Sequence, residues 1–415
     1  MFKSLVISYN IPPYHINSAI RVYNYLRNFN KYNWDVTLVT SLPVGIDTND
    51  YLNNSELKLS NFINIPSIHK DLLKLPDYKI KLSRFVNAFF TVPDKQKRWS
   101  KKAAFEADKL LQTENYDVLF LTLPPFSILK EFVYLKKKYD IPIIVDYREL
   151  WLDNYNAIYP TFMHRTMHKK AEYNSLKQVD KIIVPNRKIK EHLLYQYPFL
   201  TFDDIVILHN SFYEKDFIYN VPQKSDKLII LHPGSLLQNF DLMPFFKAFS
   251  ELKLRNKDFA NNVEIKFVKP LKQDVKKKIF NLNILDNIKE LDINSLSELN
   301  QEITNSDVIL VNLPSKNQNI DLLTPPIIYQ VFGAKKPIFA IIPDGALEQD
   351  LRKYDASYIS NPNDNITIQQ QLLDLYNDYR NRRLPKPNFD FVSQHNSAAI
   401  TEELTKIFQF YLPAY

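Results

Sequence analysis

The sequence predicts an α/β protein of two facing Rossmann-like domains, each a doubly wound parallel sheet, with an interdomain cleft. Three observations point there. Short β-branched runs alternate from end to end with longer amphipathic segments, the pattern of repeated strand, helix, strand units. Most runs are apolar throughout rather than alternating, as strands buried on both faces of a parallel sheet must be. Six runs precede residue 215 and six follow residue 226, which suits a chain of 415 residues, about two domains of ordinary size.

In order, the runs are KSLVISY (3–9), WDVTLVT (34–40), YDVLFLTL (116–123), IPIIVDY (141–147), DKIIVPN (180–186) and DIVILHN (204–210). The second half supplies KLIILHP (227–233), VEIKFV (263–268), NIKEL (287–291), SDVILVNL (306–313), KPIFAII (336–342) and ASYIS (356–360). Helical periodicity fills the intervals, as in SAIRVYNYLRNF and SKKAAFEADKLLQ. The stretch FIYNVPQKSDK is polar, holds a proline and has no period, so it reads as a linker. The expected boundaries are therefore 1–215 for the first domain, 216–226 for the linker and 227–395 for the second. A last helix follows at 396–415, where SAAITEELTKIFQFYL could pack back on the first domain. Ligands in such folds bind at the carboxyl ends of the strands.

Composition removes several classes. Hydrophobic residues at 45% and charged residues at 24% sit near the globular average, so the chain is expected to fold. There are four glycines, Gly45, Gly234, Gly333 and Gly345, and neither G-x-G-x-x-G nor G-x-x-x-x-G-K-[ST] can be assembled from them. P-loop NTPases and ordinary nicotinamide dehydrogenases are thereby excluded. Without cysteine the chain has neither disulfides nor thiolate metal sites. The apolar part of MFKSLVISYNIPP is too short for a signal peptide and reads as a first strand, and no uncharged apolar stretch reaches about 18 residues. A cytoplasmic protein is expected. Residues 70–102 carry ten bases and three acids, an excess equal to the whole chain's net charge of +7. These bases flank FVNAFFTV, which suits either an anionic membrane surface or a solvated helix pair with a partly buried aromatic face. No nucleic-acid motif accompanies the charge.

The order of segments resembles the GT-B glycosyltransferases and, within them, glycosyltransferase family 4. YNIPPYHINSAIRVYNYLRNF is similar to the family's first loop and helix. PDKQKRW, YDVLFLTLPPFS and IPIIVDYRELW follow in the order of one bacterial branch, in which D-x-R-D-x-W closes a strand. IVILHNSFYEKDF resembles the run into the interdomain junction, LIILHPGSL the donor-side Gly-Ser loop, and TPPIIYQVFGAKKPIFAI the family's T-P-x-K-x-x-E-Y segment. The family lysine falls at Ile327, its glutamate at Gln330, and Asn210-Ser211 stands for Asn-Gly. The resemblance implies a first domain on the acceptor side and a second that binds a nucleotide sugar. It also implies transfer of a hexose with retention to a glycan or lipid-linked acceptor, in bacterial surface polysaccharide biosynthesis. A sugar-nucleotide epimerase and a non-catalytic glycan- or partner-binding protein share the fold and remain alternatives.

Such a transfer needs negative charge stabilised on the departing diphosphate, by a metal, by cations or by helix N-termini. No D-x-D pair occurs, so no metal and no other cofactor is expected, the donor being a substrate. Gly234 and Ser235 after a strand, Lys269 and Lys272 after the next, and Thr324, Pro325 and Gln330 at a helix start are the candidate donor contacts. Asn10, Tyr14, His15 and Arg21 are the candidates on the acceptor side. Arg21 faces either a phosphate or an acid, and His209 and His232, at strand ends, read as structural or as tuned imidazoles. In IIVDYRELWLDN, Asp146 and Arg148 alternate with Tyr147 and Glu149, so one pair faces the cleft and the other braces its wall, with Trp151 as packing. Asp146 and Arg148 are the candidate catalytic residues; the competing reading is a buried ion pair that holds the loop.

Overall fold

In the computed structural model, residues 1–12, 16–53, 55–67, 77–155, 157–217, 226–234, 242–268, 270–293, 295–315 and 319–412 are described. Tyr14, His15, Ser235 and Lys269, most of the expected linker and residues 70–76 of the basic segment lie outside them. The chain divides into two compact units, Met1–Asn210 with Ser397–Tyr415, and Ser211–Asn396.

In the first unit the strands are β1 (Phe2–Ser8), β2 (Trp34–Thr40), β3 (Asn61–Asn64), β4 (Val118–Leu123), β5 (Ile143–Tyr147), β6 (Lys181–Val184) and β7 (Ile205–Ile207). They form one sheet in the order β3-β2-β1-β4-β5-β6-β7, and all pairs are parallel. Every residue of β4 and β5 is buried, which is why these runs are apolar without alternation. β3, with the sequence NFIN, is not among the sequence-derived runs. It is a short edge strand, half-exposed, so its apolar signal is weak. Side-chain caps start the helices Phe162–Leu176 and Arg187–Gln196: Thr161 Oγ1 accepts from His164 N at 3.4 Å, and Asn186 Oδ1 from Ile189 N at 3.0 Å. The helix Ser397–Gln409 completes this core. Its Phe408 is fully buried, with ring centroids 5.8, 5.1 and 5.2 Å from those of Phe29, Trp34 and Phe120. Asn28 donates to Ser397 Oγ at 3.0 Å, and Tyr32 to the Ala398 carbonyl at 2.8 Å.

The second unit contains β8 (Leu228–His232), β9 (Val263–Phe267), β10 (Ile288–Glu290), β11 (Val308–Asn312), β12 (Ile338–Ile341) and β13 (Ser357–Ser360). Their order is β10-β9-β8-β11-β12-β13, again parallel throughout. Phenylalanines dominate its core: Phe245, Phe246, Phe249, Phe259 and Phe339 are essentially sealed from solvent. The helix Ile327–Ala334 holds Gly333 where a Cβ would lie 2.6 Å from ring atoms of both Phe212 and Phe217. No larger residue allows that approach. In each sheet the strand order reverses beside the first strand, between β1 and β4 and between β8 and β11. In an open α/β sheet this switch, at the carboxyl edge, is where a crevice opens.

Candidate functional site

At the first switch point the chain leaves β1 through Ser8, Tyr9 and Asn10. Ser8 Oγ donates to the Asn10 carbonyl at 3.0 Å, and the half-buried Asn10 keeps a buried Oδ1 with no hydrogen-bond partner among the described residues. Arg21 lies on the following helix, Ile16–Leu26, and is 1% exposed. Its Nε donates to both oxygens of Asp146, at 2.9 and 3.0 Å, while its terminal nitrogens donate to Asn210 Oδ1 at 3.1 Å and the Leu208 carbonyl at 2.8 Å. Asp146 itself is wholly buried. Of the two readings open for each residue, the geometry gives the ion pair: Arg21 meets an acid, and Asp146 is that acid. Together they join the end of β5, the exit from β7 and the first helix.

Arg148 points the other way along the same edge, donating to the carbonyls of Leu123 at 2.8 Å and Pro124 at 3.1 Å at the end of β4. Burial lowers its pKa from the ordinary arginine value, against the opposing charges of Asp146 and Glu149. Tyr147 braces the wall. Its hydroxyl donates to Glu172 and accepts from Trp151 N at 3.0 Å, and Glu172 Oε2 accepts from Leu152 N at 3.1 Å. Trp151 stacks on Phe126 with centroids 5.2 Å apart and donates from its indole to His168 Nδ1 at 2.9 Å. Burial pushes Glu172 up to about 7 and His168 down to about 4, so both are neutral near pH 6. Sequence reasoning missed Glu172 because a lone acid in a helix of mixed polarity carries no distinguishing signal.

At the second switch point β8 ends in His232, Pro233 and Gly234, and Gly234 has φ +82°, which favours glycine. His232 Nε2 donates to Asn312 Oδ1, at the end of β11, at 3.2 Å. That bond fixes the imidazole as its Nε2–H tautomer, and burial pushes its pKa down to about 4. His232 Nδ1 and Asn312 Nδ2 are left buried without partners among the described residues. Asn312 was not singled out from sequence, although a polar residue closing an apolar strand opposite His232 was a usable signal.

Thr324 and Pro325 are buried ahead of the helix Ile327–Ala334, which runs from the carboxyl edge of β11 towards β12. Gln330, in its first turn, is 0% exposed, and both amide atoms lack a partner among the described residues. Ile327 is core. On the same helix, Tyr329 donates to Asp350 at 3.4 Å, and burial pushes that carboxyl up to about 6. Lys272 is exposed at the start of the helix Gln273–Asn281, and Lys276 pairs with Glu290 at 2.7 Å. Among the described residues no group of three His, Cys, Asp or Glu is placed to hold a metal ion.

Residues 18–212 match the sequence profile of Glycosyltransferase Family 4, a span that takes in most of the first unit. This unit is a glycosyltransferase family 4 domain. Solved structures carry the likeness over the whole GT-B fold at low identity. The sucrose-phosphate synthase of Thermosynechococcus elongatus superimposes with a TM-score of 0.66 at 12% identity, over 99% of both chains. An E. coli structure described as trehalose-6-phosphate bound with UDP-2-fluoro glucose gives 0.63 at 13%, over 98% of this chain and 99% of its own. A Listeria monocytogenes structure described as a putative UDP-N-acetylglucosamine 2-epimerase gives 0.59 at 12%, over 98% and 96%. No curated protein matches the chain in sequence. The GT-B fold thus hosts transferases and epimerases alike, and the family 4 domain marks this chain as a glycosyltransferase.

Proposed function

We propose that this glycosyltransferase moves a hexose from a nucleotide diphosphate sugar to a glycan or lipid-linked acceptor, with retention and without a metal, in bacterial surface polysaccharide biosynthesis. The observation that supports it most is the set of buried polar atoms in the second unit that have no partner among the described residues: His232 Nδ1, Asn312 Nδ2 and the amide of Gln330. Leaving such groups buried and unbonded costs about 1–3 kcal/mol each, so their retention argues for partners supplied by a ligand. On this reading Gln330 meets the donor ribose, accepting through its amide oxygen where the family has a carboxylate. Gly234, the first turn after Thr324 and Pro325, and Lys272 are the proposed diphosphate contacts, together with Ser235 and Lys269, which lie outside the described residues. Asn10, Tyr14 and His15 serve the acceptor side. Arg21, Asp146 and Arg148 act by fixing the loops around it.

Departure of a diphosphate that takes up the acceptor proton asks for positioning and electrostatics, not for a protein nucleophile. A cytoplasmic site facing the membrane suits that pathway. The test is a panel of UDP-, GDP- and dTDP-sugars scored by thermal shift, followed by mass spectrometry with glycan and lipid-linked acceptors. Binding by one donor class, lost in Gly234→Val with Lys269→Ala while the fold is kept, is expected. No shift with any donor would sink the reading, and isomerisation of a donor without acceptor would make the protein an epimerase.

A further inference from the structure

The helix Asp77–Phe90 turns an apolar stripe to solvent. Leu82, Phe85, Val86 and Phe89 follow one another at i, i+3, i+4 and i+7, one face of a helix, and all are exposed, with Phe90 beside them at 79%. A second helix, Phe162–Leu176, extends this face from a distant part of the chain. Its His164 clasps Phe89, with ring centroids 5.0 Å apart and Nε2 3.0 Å from the Phe89 carbonyl. From there Met163, at 72%, and Met167, at 53%, project at helical spacing, and exposed Lys170 follows three residues on. Large exposed apolar groups gathered in this way mark a binding surface.

Charge selects its occupant. Between Leu82 and Lys102 there are six bases, Arg84, Lys95, Lys97, Arg98, Lys101 and Lys102, against one acid, Asp94. That acid is turned inward, its carboxylate accepting from Ser127 N at 2.9 Å and Ser127 Oγ at 2.7 Å. Arg98, Lys101, Lys102 and the half-exposed Phe105 then share one face of the helix Lys97–Thr113. A second copy of the chain would bring two such basic rims together, which like-charge repulsion disfavours. A bilayer with anionic lipids satisfies both features, the rings entering the boundary of headgroups and acyl chains while the lysine and arginine stems reach up to phosphates. We infer that the helices Asp77–Phe90 and Phe162–Leu176 form a single docking face for an anionic lipid surface, with the start of the helix Lys97–Thr113 as its basic rim.

The full chain would be co-sedimented with vesicles of phosphatidylcholine alone and of equal parts phosphatidylcholine and phosphatidylglycerol, without donor or acceptor, so that the outcome is independent of transfer. Preference for the anionic vesicles, weakened by added salt, is expected. Lys101→Gln with Lys102→Gln should weaken partition about 30-fold, at about 1 kcal/mol for each basic residue near the surface. Phe85→Ser with Phe90→Ser should weaken it more than about tenfold, and all four side chains are exposed, so circular dichroism should be unchanged. Equal partition onto both vesicles, none onto either, or unaltered partition of either variant overturns the inference. So does a wild-type dimer in light scattering that both variants dissolve, which would give the face to a second copy.

Discussion

Replacing Asp146 by Asn removes one charge and almost no volume, and its consequence follows from the surroundings of Arg21. The guanidinium is 1% exposed and meets the carboxylate at 2.9 and 3.0 Å, with one N–H of each terminal nitrogen on Asn210 and the Leu208 carbonyl. At an effective dielectric of about 20, two charges about 4 Å apart attract by about 4 kcal/mol. The amide can still accept one hydrogen bond, but its NH2 faces a donor, and a buried cation is left without a counter-charge. Breaking a buried pair from one side costs about 3–5 kcal/mol. For a unit of about 150–250 residues, 1 kcal/mol moves Tm by about 2–4 °C, so a fall of about 6–20 °C is expected, assigned to the first unit.

Urea unfolding, followed by tryptophan fluorescence, gives the free energy directly. Arg21→Met should also be costly, because it strands Asp146, and the double variant should lose less than the sum of the two. An Asp146→Asn protein within about 1 kcal/mol of wild type, together with additive effects in the double variant, would refute the clamp. It would return Asp146 to direct contact with substrate. Transfer should fall in the clamp variants together with stability, not ahead of it.

Three further outcomes follow. Gln330→Leu deletes a sealed amide that has no partner among the described residues, so the free protein should be as stable as wild type or about 1 kcal/mol more so. Donor affinity should fall about tenfold, read as a smaller thermal shift with the nucleotide sugar that binds wild type. Gly333→Ala drives a methyl group into Phe212 and Phe217 and should cost about 1–3 kcal/mol, seen as a lower urea midpoint for the second unit. For Glu172, with its carboxyl raised from the ordinary 4.5 to about 7, the native state holds a proton between those values and the unfolded chain does not. Its contribution is therefore complete below about pH 4.5 and lost as pH rises through 7, on the order of 3 kcal/mol. Urea midpoints from pH 4.5 to 8 should fall in wild type, and that component should be missing in Glu172→Gln.

The strands were legible because a parallel sheet covered on both faces demands apolar runs, which most of the twelve runs are, and all twelve became strands. β3 escaped because an edge strand that is half-exposed needs no such run. What could not be read from one sequence was pairing. Arg21 and Asp146 lie 125 residues apart, and nothing local to either says that the other is its partner. The same holds for His232 and Asn312, 80 residues apart, whose bond depends on β8 and β11 lying side by side at the reversal of strand order. Residue types at strand ends marked the right edge of each sheet, and tertiary contact decided which polar groups were already satisfied.

That distinction separates architecture from binding in each unit. In the first, the acid, arginine and tyrosine that close β5 are used up internally: Asp146 by Arg21, Arg148 by two carbonyls, Tyr147 by Glu172. Groups so engaged would have to break bonds worth about 1–3 kcal/mol each before touching a ligand, which suits them to holding loops. Asn10, just past the end of β1, keeps an acceptor with no partner among the described residues. In the second unit the balance is reversed. A histidine held neutral by burial, an asparagine amide and a glutamine amide sit at or beside the carboxyl edge of the sheet with bonding capacity unspent among the described residues. A ribose or a diphosphate offers complementary donors and acceptors, which none of the described residues supplies. By this reasoning the aspartate and arginine after β5, the most conspicuous cluster in the sequence, belong to the scaffold. Gln330, which lacks the charge of the family glutamate, is the better place to look for the donor.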